Sequence, residues 1–135
     1  MGPGRGRFQG EGLMTRVKIC GVRTAVDARA AVDAGADAIG LNFFSGSRRY
    51  VSPQAVASIV ECLPVDVWRV GVFVNESREA IAALVSNLGL TAIQLHGDEP
   101  PSLEEGWTVP VIRALRLTPN TDALEEAARH CADYL

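Results

Sequence analysis

The run V-K-I-C-G, Val17 to Gly21, sets an amine and a thiol two residues apart just ahead of a glycine. Read as a strand, its side chains alternate, so Lys18 and Cys20 share one face and Val17 and Ile19 the other. An unperturbed thiol, with a pKa of about 8.5, is mostly protonated at neutral pH. A neighbouring ammonium and a helix beginning a few residues later both favour the thiolate, which can act as a base. Free cysteine is also a common packing residue, so its surroundings must decide between the two uses. A second group of interest is S-G-S-R-R-Y, Ser45 to Tyr50. Arg48 and Arg49 read either as a solvated pair or as a guanidinium placed to hold a carboxylate in two parallel bonds. Cys62 and Cys131 fall in helical stretches and read as packing residues. No two of the three cysteines have C-x-x-C spacing, which leaves a reducing, cytoplasmic setting as the plain reading.

The elements that would carry these groups alternate regularly. Strands are expected at residues 16–20, 38–43, 67–74, 91–95 and 109–115. Thr24 offers an N-cap to a helix that stops at Gly35, and Ser52-Pro53 opens a second helix. A third helix spans 78–88 and stops at Gly89. Asp98 and Glu99 read as structural acids beginning a helix after the fourth strand, and a last helix runs from Pro119 to about 130. Gly35 to Leu41 and Gly89 to Leu95 share the pattern G-x-x-A-I-x-L, and Ala132 to Leu135 resembles its start, as if a sixth strand were beginning. Repeated βα units imply a parallel sheet covered by helices, and the repetition favours a barrel.

In such barrels chemistry gathers at the C-terminal strand ends. Cys20, Asn42, Asn75, Gln94 and His96 all fall there, and the fifth strand carries Arg113. With Ile39, Leu41, Ile93 and Leu95 directed at the helices, alternation turns Lys18, Cys20, Gly40, Asn42, Gln94 and His96 to the lumen. His96 also reads as a structural histidine bonded to backbone.

The chain has 135 residues, is 47% hydrophobic and carries a formal charge of −3. That composition fits one globular domain, gives no sign of a nucleic-acid surface and includes no apolar run long enough to cross a bilayer. Residues 1–13 are glycine-rich and polar and are expected to be a disordered extension, with Met14 a candidate start. Residues 14–135 then form the N-terminal part of the barrel domain. A complete barrel needs at least about 200 residues, so the sequence is expected to be truncated, with open sheet edges that invite self-association.

In order and with compatible spacing, V-K-I-C-G, D-A-G-A-D-A-I-G-L-N-F, S-R-R-Y-V-S-P, R-V-G-V-F-V-N and Q-L-H-G-D-E-P resemble the phosphoribosylanthranilate isomerases of tryptophan biosynthesis, from about Thr15 onward. The resemblance implies a (β/α)8 TIM barrel of the α/β class, here its first five βα units and the start of the sixth strand. It implies an Amadori rearrangement of N-(5′-phosphoribosyl)anthranilate, a small-molecule substrate, to 1-(2-carboxyphenylamino)-1-deoxyribulose 5-phosphate, with no metal and no cofactor. Cys20 would be the general base and Arg49 the holder of the anthranilate carboxylate, with Lys18, Asn42, Gln94 and His96 as further substrate-binding candidates. The family's general acid, an aspartate ending the sixth strand, and its phosphate loops have no counterpart here, so the isolated chain is expected to be inactive. The alternatives are a non-catalytic half-barrel needing a complementary chain, or a different phosphosugar barrel.

Overall fold

Each α-helix among the described residues begins where a side-chain oxygen can take up an amide that the helix itself leaves free. In the computed structural model, which describes residues 15–135, Thr24 accepts from the Asp27 amide ahead of α1 (Ala25–Asp33). Ser52 accepts from Ala55 ahead of α2 (Pro53–Glu61), and Ser77 from Ala80 ahead of α3 (Arg78–Leu88). Asp122 accepts from Leu124 and Glu125 at the start of α4 (Ala123–Ala128). Gly89 ends α3 in the left-handed conformation at φ 64°, a geometry that costs a glycine nothing. The expected disorder of residues 1–13 and the candidate start at Met14 lie outside the described residues.

The strands β1 (Lys18–Cys20), β2 (Ala38–Asn42), β3 (Trp68–Phe73), β4 (Ala92–Leu95) and β5 (Val111–Arg113) form one parallel sheet in chain order. A parallel bridge from Ile112 to Tyr134 begins a sixth. Strand order that never reverses, with the helices against one face, is the arc of a barrel rather than a doubly wound sheet.

The register explains the two faces. Ile39, Leu41, Phe73, Ile93, Leu95 and Val111 are at most 1% exposed and pack with residues of the helices in one core. The lumen face carries a separate, smaller cluster of Ala38, Val70 and Ala92, with Trp68 and Ile112 against it. Three side-chain oxygens pin the feet of neighbouring strands together. Asp37 accepts the Val17 amide at 2.8 Å, Thr91 the Arg69 amide at 2.8 Å and Asp133 the Val111 amide at 2.9 Å.

The connection from β4 to β5 departs from expectation. No α-helix starts at Asp98 and Glu99; the segment holds only a short 3-10 helix, Pro101–Glu104. Pro100 and Pro101 lack amide donors, and the first restrains the residue before it from helical angles. Arg78 secures the segment instead. Its guanidinium lies 4.7 Å from the centre of the Trp107 ring. Its Nη2 donates to the carbonyls of Glu105 and Ser102 at 2.8 and 3.2 Å. The last helix is also shorter than expected, so Cys131 lies beyond α4 and is exposed rather than packed.

Candidate active site

Cys20 ends β1, pairs in register with Gly40 of β2, and is exposed. A Cβ on Gly40 would meet its Sγ at 2.7 Å and its Cα at 3.0 Å, so the bare glycine is what leaves the thiol its place on the lumen face. The next residue, Gly21, has φ +81° and lies under the side chain of Arg49, whose Cδ would be 2.3 Å from a Cβ there. The thiol and the arginine predicted from sequence are therefore neighbours at one strand end.

The loop carrying Arg49 is shaped by Asn42. Asn42 Oδ1 accepts the Phe44 amide at 2.9 Å, and its Nδ2 donates to Ser47 Oγ at 3.3 Å. Ser47 Oγ in turn accepts the Arg49 amide at 3.1 Å. Asn42 ends β2 as predicted, and both ends of its amide hold the loop that carries Arg49. The guanidinium of Arg49, by contrast, makes no hydrogen bond or ion pair among the described residues, so its donor fork is open to a ligand.

Gln94 faces the lumen, paired across β3 with Val72, and is 7% exposed. Its amide nitrogen lies 3.1 Å from Nδ1 of the exposed His96. With the nitrogen as donor, Nδ1 accepts, and a neutral ring carries its proton on Nε2. The Gln94 carbonyl oxygen is buried without a partner, an acceptor waiting for a donor in the barrel mouth. Lys18 shares the lumen face with Cys20 but belongs to the layer beneath. It lines a cavity of about 170 Å³ with Ala38, Val70, Ile112 and Tyr134, toward the feet of the strands. No group of three or more His, Cys, Asp or Glu among the described residues is placed to hold a metal ion.

Arg113 stands apart from the lumen groups. It pairs with Leu95 and so points outward, away from the lumen. There it donates to Glu99 Oε1 at 3.1 Å and to the Gly97 carbonyl at 3.2 Å, with Glu104 at 3.7 Å. Glu99 also accepts the amides of Asn75 at 2.8 Å and Gly97 at 2.9 Å. Asn75, at φ 51°, accepts the Asp98 amide at 2.8 Å. These residues tie the ends of β3, β4 and β5 together and set the turn from which His96 projects. Sequence reasoning missed the network because its members are up to 38 residues apart; the signal available was an acid and a glycine directly after His96.

The model of the N-(5′-phosphoribosyl)anthranilate (PRA) isomerase family matches residues 17–134. The chain belongs to that family. Relatives of the same name include the isomerase of Myxococcus xanthus, 46% identical over 83% of this chain and 53% of the relative. That of Thermotoga neapolitana is 46% identical over 81% and 54%. Among solved structures, the PRA isomerase of Thermus thermophilus superposes with a TM-score of 0.81 at 40% identity, covering 87% of this chain and 59% of that one. A PRA isomerase in complex with reduced 1-(o-carboxyphenylamino)-1-deoxyribulose 5-phosphate gives 0.79 at 44% identity, over 84% and 59%. The chain spans about half the length of the curated relatives it matches. Membership in the PRA isomerase family replaces the alternative of a different phosphosugar barrel. It also settles the fold as an arc of a (β/α)8 barrel.

Proposed function

We propose that this chain supplies the proton-abstracting and carboxylate-holding side of a PRA isomerase. The observation that carries the reading is the arrangement at the end of β1: an exposed thiol at Cys20 and, on the very next residue, Gly21, the stem of Arg49, whose guanidinium makes no hydrogen bond or ion pair among the described residues. The substrate is an aryl aminoribose bearing a carboxylate on the ring and a phosphate on the sugar. Arg49 takes the carboxylate in a bidentate pair. Protonation of the ribose ring oxygen opens the ring to an iminium ion, and the Cys20 thiolate removes the proton from the neighbouring ribose carbon. The resulting enolamine becomes the ketone by taking a proton at the carbon that carries the nitrogen. The buried Gln94 oxygen and the His96 ring offer an acceptor and a polar group to the opened sugar. Lys18, one layer below, acts through its charge rather than by touching the aryl carboxylate. Asp133 is not the acid in this reading, because its carboxylate accepts the Val111 amide at the foot of the sheet. The ring-oxygen acid and the phosphate site are assigned to no described residue.

We place this chemistry in the cytoplasm, on a small-molecule substrate without metal or cofactor. Among the described residues no helix is long and apolar enough to cross a membrane.

The test is turnover of fluorescent phosphoribosylanthranilate by the chain, alone and mixed with the C-terminal part of a relative. Whatever rate the mixture reaches should fall by at least about a hundredfold in Cys20→Ala, the usual worth of one proton-transfer group. A Cys20→Ala chain that works undiminished removes the thiol from the mechanism. Activity confined to the mixture favours the reading as a half-barrel that needs a complementary chain.

A further inference from the structure

We propose that Gly21 is a specificity-determining residue of this site: its missing side chain is the seat of the Arg49 stem and so decides where the carboxylate-holding guanidinium stands. The inference rests on the reading of Arg49 given above and adds what sets its position. A Cβ at Gly21 would lie 2.3 Å from Arg49 Cδ and 3.2 Å from both its Cβ and Cγ, so the whole aliphatic stem runs over the glycine. Neither partner can withdraw as a unit. The Gly21 and Val22 amides both donate to the Gly40 carbonyl, at 3.0 and 3.2 Å, which holds the glycine backbone to β2. The Arg49 amide is held by Ser47 Oγ, the preceding carbonyl accepts Arg23 Nη1 at 3.2 Å, and the Val51 amide returns to the Asn42 carbonyl at 2.9 Å. With both backbones anchored, a methyl group at position 21 can be accommodated only by moving the arginine side chain off its seat. No described glycine lies against Arg48, which separates two adjacent arginines that residue type alone leaves equivalent.

The experiment uses the chain itself and needs no turnover. Cys20 is alkylated at low ionic strength with iodoacetate and with iodoacetamide, and the rates are read at that residue by peptide mass spectrometry. Because the Arg49 stem lies on the residue that follows Cys20, its charge should favour the carboxylate reagent at that thiol, by about fivefold for one charge a few ångströms away in water-like surroundings. The wild-type ratio of the two rates should exceed that of Arg49→Ala by about this factor. Gly21→Ala should drop the ratio to the Arg49→Ala level while leaving the iodoacetamide rate within about twofold, and Gly21→Ala in the Arg49→Ala background should change it no further. Because φ +81° strains alanine, Gly21→Asn serves as the second variant, since asparagine tolerates left-handed backbone yet still carries a Cβ. Gly40→Ala crowds the thiol instead, so it should change both rates in proportion and leave their ratio alone. The proposal is overturned if Gly21→Asn keeps the wild-type ratio, if Arg49→Ala already has it, or if Gly40→Ala lowers it equally. Failure of the functional reading looks different: no turnover in the reconstituted enzyme, with the alkylation ratios as expected.

Discussion

Cys131 Sγ lies 3.5 Å from Glu104 Oε2 and 3.8 Å from Glu105 Oε1. Desolvation against these neighbours, followed by the hydrogen bond and negative charge of Glu104 and then of Glu105, pushes the Cys131 thiol above its ordinary pKa although the residue is exposed. A raised pKa means less thiolate at any given pH. Alkylation of Cys131 should therefore rise at higher pH in the folded chain than in urea, where the carboxylates no longer face it; coincident profiles would remove the effect. Glu99 illustrates the other use of a carboxylate. Its side chain is 2% exposed against 6% for Arg113, so breaking the pair strands a charge rather than exposing it to water. Glu99→Gln should cost about 3 kcal/mol in urea unfolding, because removing one partner leaves the other buried and uncompensated. A loss below about 1 kcal/mol would show that Glu104, 3.7 Å from Arg113, suffices alone.

The connection after β4 shows one element standing in for another. Where a covering helix was expected, a 3-10 helix and a loop are strapped to the start of α3 by Arg78 and Trp107. A single guanidinium reaches two carbonyls and a ring at once because its donors spread in a plane; lysine offers one point of charge. Arg78→Ala should destabilise the chain by about 2 kcal/mol and Arg78→Lys should recover less than half of that. Hydrogen exchange should quicken first in residues 101–108. Uniform quickening across the sheet would mean that the strap supports the whole fold rather than this connection.

β1 leaves one side of the sheet unpaired among the described residues. Val17 and Ile19 are 45% and 42% exposed beside it, and they border an apolar groove with Ala30 and Ala31 of α1 and Ala34 at its end. A parallel edge flanked by apolar side chains is prone to association. We expect the chain to self-associate at micromolar concentration in sedimentation velocity, and Ile19→Lys, on the outer face away from Cys20, to shift it toward monomer. An unchanged distribution in Ile19→Lys would place the contact elsewhere.

The order of strands and helices, the capping residues and the division of β2 and β4 into two faces were legible in the sequence. Each depends on spacings of two to four residues and on hydrogen bonds that close within a turn or a strand. The same locality made V-K-I-C-G stand out, since two lumen-facing groups on one strand need only alternation. Other roles waited for the fold. Arg113 could not be assigned a face from V-P-V-I-R-A-L, because a buried parallel strand is apolar on both sides and hides its own parity. That Asn42 and Asn75, both at strand ends, shape the loops beyond them was visible only once those loops were in place. The family resemblance picks Arg49 over Arg48, but the physical distinction between them is a contact 28 residues away in the chain, over a glycine whose φ no local pattern specifies. Periodicity determines which residues share a face; only the packed register determines which of them touch.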